Sequence, residues 1–471
     1  MEHIIQQIAL EMARKILERP LLDGIFDLDT MSSLALEDCK EAARQVIQAF
    51  IEDANLAIRE CRAERKERGL LIKEHDRPRD ILTELGRIEY KRDYYFDRQN
   101  ACYTSPIDLI LGVNQYDRIS KKVSAELVRA ATDHSYQKSS AIVTDGHVSR
   151  QSVRNKILEV ADLEVIPSGE RRSAREIHVF ADEDHVHMQR EGKAKGKRSR
   201  QVPLVTVTEG VTGEYASRNR TINPMHFVDR NLDTTSLWEN VDAYLRMQYD
   251  LDSTEKIYVH GDGANWIEAG LNDIRQTEHV MDGYHLGKYL RSINTRFPNR
   301  SVRFRIEKAL KSDNKEEVNR ILESLKQVAE EPKQFEAIAE TETYLNNKWD
   351  SLVRRRVLDI PGSCTEGQVS HVLSERFSRN PMGWSLEALG KLSRLRVYVK
   401  NGGKIEGEHF EKTCGKAETE NASCYGELIK REVAGCFDWS VFDGEPIIFN
   451  GSTGTQNLIQ MLGETQDWLA C

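Results

Sequence analysis

The chain has 471 residues, of which 30% are charged and 39% hydrophobic, with a formal net charge of −9. Such a length exceeds one small core and sets an expectation of roughly two to four domains. No apolar run approaches the length needed to span a bilayer, and the opening MEHIIQQIALEMARKILERP is an amphipathic, acid-bearing helix, so neither signal peptide nor anchor is expected and a cytoplasmic protein is.

Residues 1–75 carry apolar positions at helical spacing through Ile47, Phe50 and Ile51, then the charged RECRAERKERG, and are expected to form an N-terminal helical region. In ILTELGRIEYKRDYYFD alternation and aromatics replace that period, which predicts a β-hairpin region over 76–115. There Lys91, Arg92, Tyr94 and Tyr95 mix cations with rings, suited to a DNA backbone and equally to a half-exposed hairpin. Residues 116–165 return to helices. SYQKSSAIVTDGHVSRQSVRNKILEV reads as helix, Gly-containing turn and helix, with Ser149 as the second N-cap. Val153, Ile157 and Val160 then face inward and leave Arg150, Gln151, Arg154 and Asn155 outward, the residue types that read base edges and phosphates. A helix-turn-helix DNA-binding domain is expected; a helical hairpin with a polar face is the plainer alternative.

Over 172–400 the pattern is mixed α/β. IHVFADEDHVHM, VPLVTVTEGV and NPMHFV read as strands, TSLWENVDAYLRMQY as a helix and KIYVHGDG as a fourth strand. Residues 286–358 then read as a helical insertion. From Leu286 to Lys311 eight Lys or Arg residues, among them Arg300, Arg303 and Arg305, face one acid, Glu307. With KAKGKRSR at Lys193–Arg200, these clusters favour a polyanionic partner despite the acidic total. Residues 401–471 form a C-terminal region without a clear pattern. The eight cysteines include no CxxC pair, and Cys414, Cys424 and Cys436 beside His409 match no zinc spacing.

Three acids stand out. Asp262 ends an apolar strand between Gly261 and Gly263, where open α/β sheets collect their ligands. In HVFADED the even positions Phe180, Asp182 and Asp184 share a strand face, and alternation alone does not choose between the two aspartates. In TEGQVSHVLSERF, Glu366 projects along the stripe of Val369, Val372, Leu373 and Phe377 and so faces the protein, although Ser363 stands at capping-box spacing and offers the carboxylate a local partner. Acids brought from two strands and a helix suit a two-metal phosphoryl-transfer site, with hard cations roughly 3.5–4 Å apart.

The series FADEDHVHMQ, VHGDGANWI, MDGYHLGKYL and TEGQVSHVLSERFSRNPMGWS, with LGRIEYKRDYYFD upstream and FDWSVFDGEPIIFNGSTGTQNL downstream, resembles the ISLre-type bacterial insertion-sequence transposases, relatives of the Mutator-like DDE transposases. The resemblance implies an α/β, RNase H-like catalytic domain over 172–400 interrupted by the helical insertion. It also implies Asp182, Asp262 and Glu366 as catalytic metal ligands for two Mg²⁺ or Mn²⁺ ions, with Asp184 as the alternative first acid. A C/D-x-x-H motif of related families falls on Asp282 and His285, the latter expected to contact the scissile phosphate or order an acid; read from the residues alone, Asp282 caps the helix that follows. The implied activity is binding of double-stranded terminal inverted repeats, strand cleavage and strand transfer into target DNA by a homo-oligomer of at least two copies. A non-catalytic DNA-binding protein and an RNase H-like nuclease without strand transfer are the rival expectations.

Overall fold

Gly69, at φ +70°, ends the helical N-terminal segment, and the apolar Leu70-Leu71-Ile72 that follows pairs with Asp97, Phe96 and Tyr95. The hairpin therefore reaches back into residues 70–75, where the helical period had been extended. The computed structural model describes residues 2–24, 27–164, 169, 171–189, 199–215, 218–357, 364–380, 382–410, 425–427 and 429. They form two compact units, Met1–Glu126 with Glu406–Cys471, and Leu127–Ile405.

The first unit runs α1 (Glu2–Asp23), α2 (Leu28–Glu60), α3 (Arg62–Glu67), β1 (Leu70–Thr83), β2 (Gly86–Asp97), β3 (Cys102–Thr104), α4 (Pro106–Ile110) and the start of α5 (Lys121–Asp133). Its antiparallel sheet, ordered β1-β2-β3, lies on α2. Ile51, Ala54 and Ile58 of that helix are buried with Ile81, Ile88, Tyr90 and Tyr95. Each of the isoleucines contributes about 1.5–3 kcal/mol by leaving water.

The second unit continues with α6 (Tyr136–Thr144) and α7 (Arg150–Glu159). Ser149 caps α7 at the amide of Ser152, 3.1 Å, and Val153, Ile157 and Val160 are buried. The main sheet comprises β4 (Glu176–His187), β5 (Ser199–Thr208), β8 (Met225–Phe227), β9 (Lys256–Gly261) and β10 (Thr277–Met281). A side hairpin, β6 (Val211–Tyr215) and β7 (Arg218–Thr221), interrupts it. The order is β10-β9-β4-β5-β8, with β4, β5 and β8 antiparallel in succession and β4, β9 and β10 parallel. The parallel strands are joined through α8 (Thr234–Gln248) and α9 (Asn265–Asp273). On the face toward these helices Ile177, Val179, Ala181, Val205, Val207, Ile257 and Val259 pack on Leu237, Trp238, Val241, Leu245 and Ile267. On the other face His178, Phe180 and His260 stack, with ring centres 4.6–6.4 Å apart.

After β10 come α10 (Gly283–Arg296), α11 (Val302–Lys311), α12 (Lys315–Lys326), α13 (Pro332–Asn347) and α14 (Trp349–Val357). They have a core of their own in which Leu290, Ile306, Leu310, Ile321, Leu325 and Leu352 are buried, closed against the sheet at Met281. The unit ends with α15 (Thr365–Val369), a π-helical turn (Ser370–Ser374), α16 (Glu375–Phe377) and α17 (Leu386–Lys400). Among the described residues no helix is long and apolar enough to cross a membrane.

Candidate functional site

Parallel pairing sets three aspartates side by side. Phe180 of β4 pairs with His260 of β9, and Met281 of β10 with Gly261. Asp182 follows two residues beyond the first pair within β4, Asp262 and Asp282 come directly after the ends of β9 and β10, and the Asp282 amide still donates to the Gly261 carbonyl at 2.8 Å, so continuing the register puts the three level. The glycines around Asp262 have separate reasons. A Cβ on Gly261 would lie 2.8 Å from Cδ1 of Ile267 and 3.0 Å from the Ala181 carbonyl, so β9 approaches β4 and α9 more closely than any side chain permits. Gly263 has φ +79°, and its carbonyl accepts from Nζ of Lys348 at 3.0 Å. Between them, Asp262 accepts the Ala264 amide at 2.8 Å, leading the chain into α9.

These acids act on one another. Asp182 is pushed up to about 7, first by burial and then by the charges of Glu183, Asp262 and Glu366; its hydrogen bond from the Glu183 amide, 2.9 Å, opposes the shift. His285 is raised, foremost by Asp282 and further by the charges of Asp262 and Asp182, against the opposing effect of burial. Its Nδ1 lies 3.5 Å from Oδ2 of Asp282, an ion-pair separation rather than a well-formed hydrogen bond. Asp282 also caps α10 through the Tyr284 amide at 3.1 Å, so it serves the helix and the imidazole together.

Asp184 shares the strand face of Asp182 but has other partners. Its Oδ1 accepts from the Ser378 hydroxyl at 2.9 Å, and burial raises its pKa against the hydrogen bonds of Ser378 and Ser374. It ties β4 to the end of the helix that carries Glu366. In that helix Val369, Val372, Leu373 and Phe377 are buried, whereas Glu366 itself is exposed. This corrects the inward placement of Glu366: in the first turn Thr365 and Val369 are the buried positions, and Glu366 and Gly367 lie on the open side. The N-cap is Cys364, which makes no side-chain capping bond, and Ser363 lies outside the described residues.

The helix is held by two buried arginines. Arg396 of α17, 2% exposed, donates to the carbonyls of Val372 and His371 in the π turn and to that of Thr132 in α5. Arg376 donates to the Ala131 carbonyl at 2.8 Å and lies 4.8 Å over the Trp384 ring. Pulling two carbonyls sideways toward one guanidinium widens the helical turn, the physical origin of a π bulge here.

The expected DNA contacts are spread more widely. Arg150, Gln151 and Asn155 are exposed on α7, with the Gln151 amide donating to Asn155 at 2.9 Å, while Arg154 lies 3.4 Å from Glu387. Arg300 is exposed; Arg303 pairs with Glu307 at 3.0 Å and Arg305 with Glu317 at 4.0 Å, so the positive face of α11 is partly neutralised. Most of the Lys193–Arg200 cluster lies outside the described residues. The insertion's cations that do reach the strand ends are Lys348, at Gly263 and Glu268, and Arg355, whose guanidinium donates to the Met281 carbonyl at 3.2 Å. Sequence reasoning missed both: Lys348 stands alone, Arg355 is the middle of the run Arg354-Arg355-Arg356, and only the folding back of α14 onto β10 brings them there.

Three carboxylates with oxygen donors and a mutual field suit a hard divalent cation. Among the described residues, however, no three His, Cys, Asp or Glu side chains already converge into a metal-ligand group. The acids share an electrostatic site without forming a closed ligand sphere.

A family model described as "Uncharacterised protein family (UPF0236)" matches residues 21–413. The chain belongs to the UPF0236 family. A UPF0236 protein of Caldanaerobacter subterraneus subsp. tengcongensis, whose name carries eleven locus designations, is 34% identical over 436 residues, 92% of this chain and 90% of the relative. A second from that organism, named with four loci, is also 34% identical over the same extent. A UPF0236 protein of Streptococcus gallolyticus, described as lying in a vanSb 3′ region, is 23% identical over 409 residues, 83% of this chain and 86% of the relative. The span matched by the UPF0236 model includes Asp182, Asp262, Asp282, His285, Glu366 and Arg396.

Proposed function

We propose that this UPF0236 protein is a DDE transposase with an RNase H-like catalytic domain, acting in the cytoplasm on the double-stranded ends of an insertion sequence and on target DNA. One observation carries the reading: the register of parallel β4 and β9, continued two residues past the Phe180–His260 pair, puts Asp182 in the middle of β4 level with Asp262 just past the end of β9, with the helix of Glu366 packed on β4. The strand order supports the fold, since an antiparallel run of three is continued by two parallel strands across crossover helices. The repeated loci in the relatives' names add support, because many copies in one genome are what a mobile element leaves.

Asp182, Asp262 and Glu366 would hold Mg²⁺ or Mn²⁺; when bound, such ions activate an attacking oxygen and stabilise the leaving one in phosphodiester cleavage. The donor set fits them, since burial and neighbouring acids make Asp182 hard to ionise alone and a cation would relieve that strain. The chain's own cations complete the balance. His285, favoured in its protonated form by Asp282, stands where a scissile phosphate needs positive charge, and Lys348 fixes the Gly263 backbone beside Asp262. Helix α7 would grip the repeats, and two ends require at least two copies in the synaptic complex.

The test is strand transfer of labelled terminal DNA into a plasmid by the wild-type chain and by Asp262→Asn. Joined products from the wild type only are expected. Cleavage without joining would turn the reading to a nuclease, and end binding without either to a non-catalytic DNA-binding protein.

A further inference from the structure

The first unit contains a cleft of about 580 Å³ between the β1–β2 hairpin and the segment around Asp117. Beneath it lies an unbalanced set of buried charges. Arg79 and Arg92, 9% and 8% exposed, both pair with one carboxylate, Asp108, which also accepts from the Tyr90 hydroxyl. Arg79 spends its remaining donors on the carbonyls of Asn114 and Asp117. Arg92 has no such relief: its Nε is buried and without a hydrogen-bond partner among the described residues. Burial, with the charges of Arg79 and Arg77 nearby, lowers its pKa to about 10. Two guanidiniums on one carboxylate leave a positive charge in a poorly solvated place, a costly arrangement unless an anion completes it.

The rim indicates what sort of anion. Arg118 is 81% exposed and only loosely paired, 4.0 Å from Asp80. Arg77 lies 4.8 Å over the ring of Tyr94, and Tyr116 is 86% exposed. The cleft's acids are already engaged, Asp80 with Arg87 and Asp117 with the backbone and side-chain amides of Asn114. Guanidinium forks match phosphate oxygens, and exposed rings beside them offer stacking surfaces for bases. The volume exceeds what a lone inorganic ion would fill.

We propose that this cleft is a second nucleic-acid site, in which Arg92 and Arg118 receive a phosphodiester of an unpaired DNA strand and Tyr116 stacks on a neighbouring base. The choice of DNA rests on the proposed function; the phosphate recognition does not.

The test measures binding of labelled oligothymidylate to the full-length chain by fluorescence anisotropy across a salt series. Tyr116→Ala combined with Arg118→Ala removes only exposed groups, so its unfolding midpoint should match the wild type. Its affinity should fall about tenfold or more, since stacking on one base and one phosphate contact are lost together, and the slope of log affinity against log salt should flatten by about 0.7 for that contact. Arg92→Met should weaken binding further. Unchanged affinity and slope in the exposed double variant overturn the proposal. An equal loss in Asp262→Asn also overturns it, because the strand would then lie at the carboxylates. Thermal protection by inorganic phosphate without oligothymidylate binding refutes the nucleic-acid assignment. None of these readouts needs cleavage, so failure of strand transfer remains separately visible.

Discussion

Replacing Asp182 by Asn should stabilise the metal-free protein at neutral and higher pH. Asn keeps an acceptor for the Glu183 amide while removing a charge placed among Glu183, Asp262 and Glu366. The folded chain holds the Asp182 proton to about 7, against 3.8 for the ordinary group. The folded state therefore binds that proton more tightly than the unfolded state, and stability drains away as pH rises through this interval. At about 1.36 kcal/mol for each pH unit, the wild type loses about 4 kcal/mol between pH ~4 and ~7, and the variant none of it. Urea unfolding in EDTA at a series of pH values would measure the difference. Adding Mg²⁺ should restore the wild type and not Asp182→Asn, because an ion that binds only the folded state stabilises it by mass action. Parallel pH profiles for the two proteins would refute the argument that the three acids share a field at this strand end.

Arg396→Met should destabilise the second unit by about 3–5 kcal/mol, since the carbonyls of Val372, His371 and Thr132 lose a common donor and Asp133 its partner; the drop would appear in the urea midpoint. The buried imidazoles of His178 and His226, both pushed down to about 4 chiefly by burial, predict the opposite pH trend to Asp182. Their contribution is complete above about 6.5 and lost as pH falls toward 4, so His226→Gln should lower the midpoint of acid unfolding followed by circular dichroism.

Asp262 was legible because a strand buried on both faces is written as a continuous apolar run, and IYVHG stops abruptly at the acid. Asp182 and Asp184 could not be separated by the same logic, since both lie on one strand face. What divides them is what each meets, the charge of Asp262 for the first and the Ser378 hydroxyl for the second. Strand β10 escaped notice because Thr277 and Glu278 hide its apolar character. Lys348 and Arg355 were invisible as site residues, and so was the exposure of Glu366, because these depend on contacts between segments distant in the chain. The buried excess of charge at Arg79, Arg92 and Asp108 was hidden for the same reason: only the fold puts two cations on one acid.

The π turn also makes the segment from Ser370 to Ser374 sensitive to counting. In an ordinary helix each residue advances the side-chain direction by about 100°. Removing one residue from this stretch would let the helix close into regular α geometry, but Phe377 and Arg376 would remain seated in their pockets. A regular turn covers about the same rotation as the wide one with a residue fewer, so Glu366 would keep its direction. Insertions and deletions are usually best tolerated between elements; in this helix the wide turn can give up its extra residue, whereas a second one added beside it would turn Glu366 by about 100° and act as a mutation of the third acid without touching it.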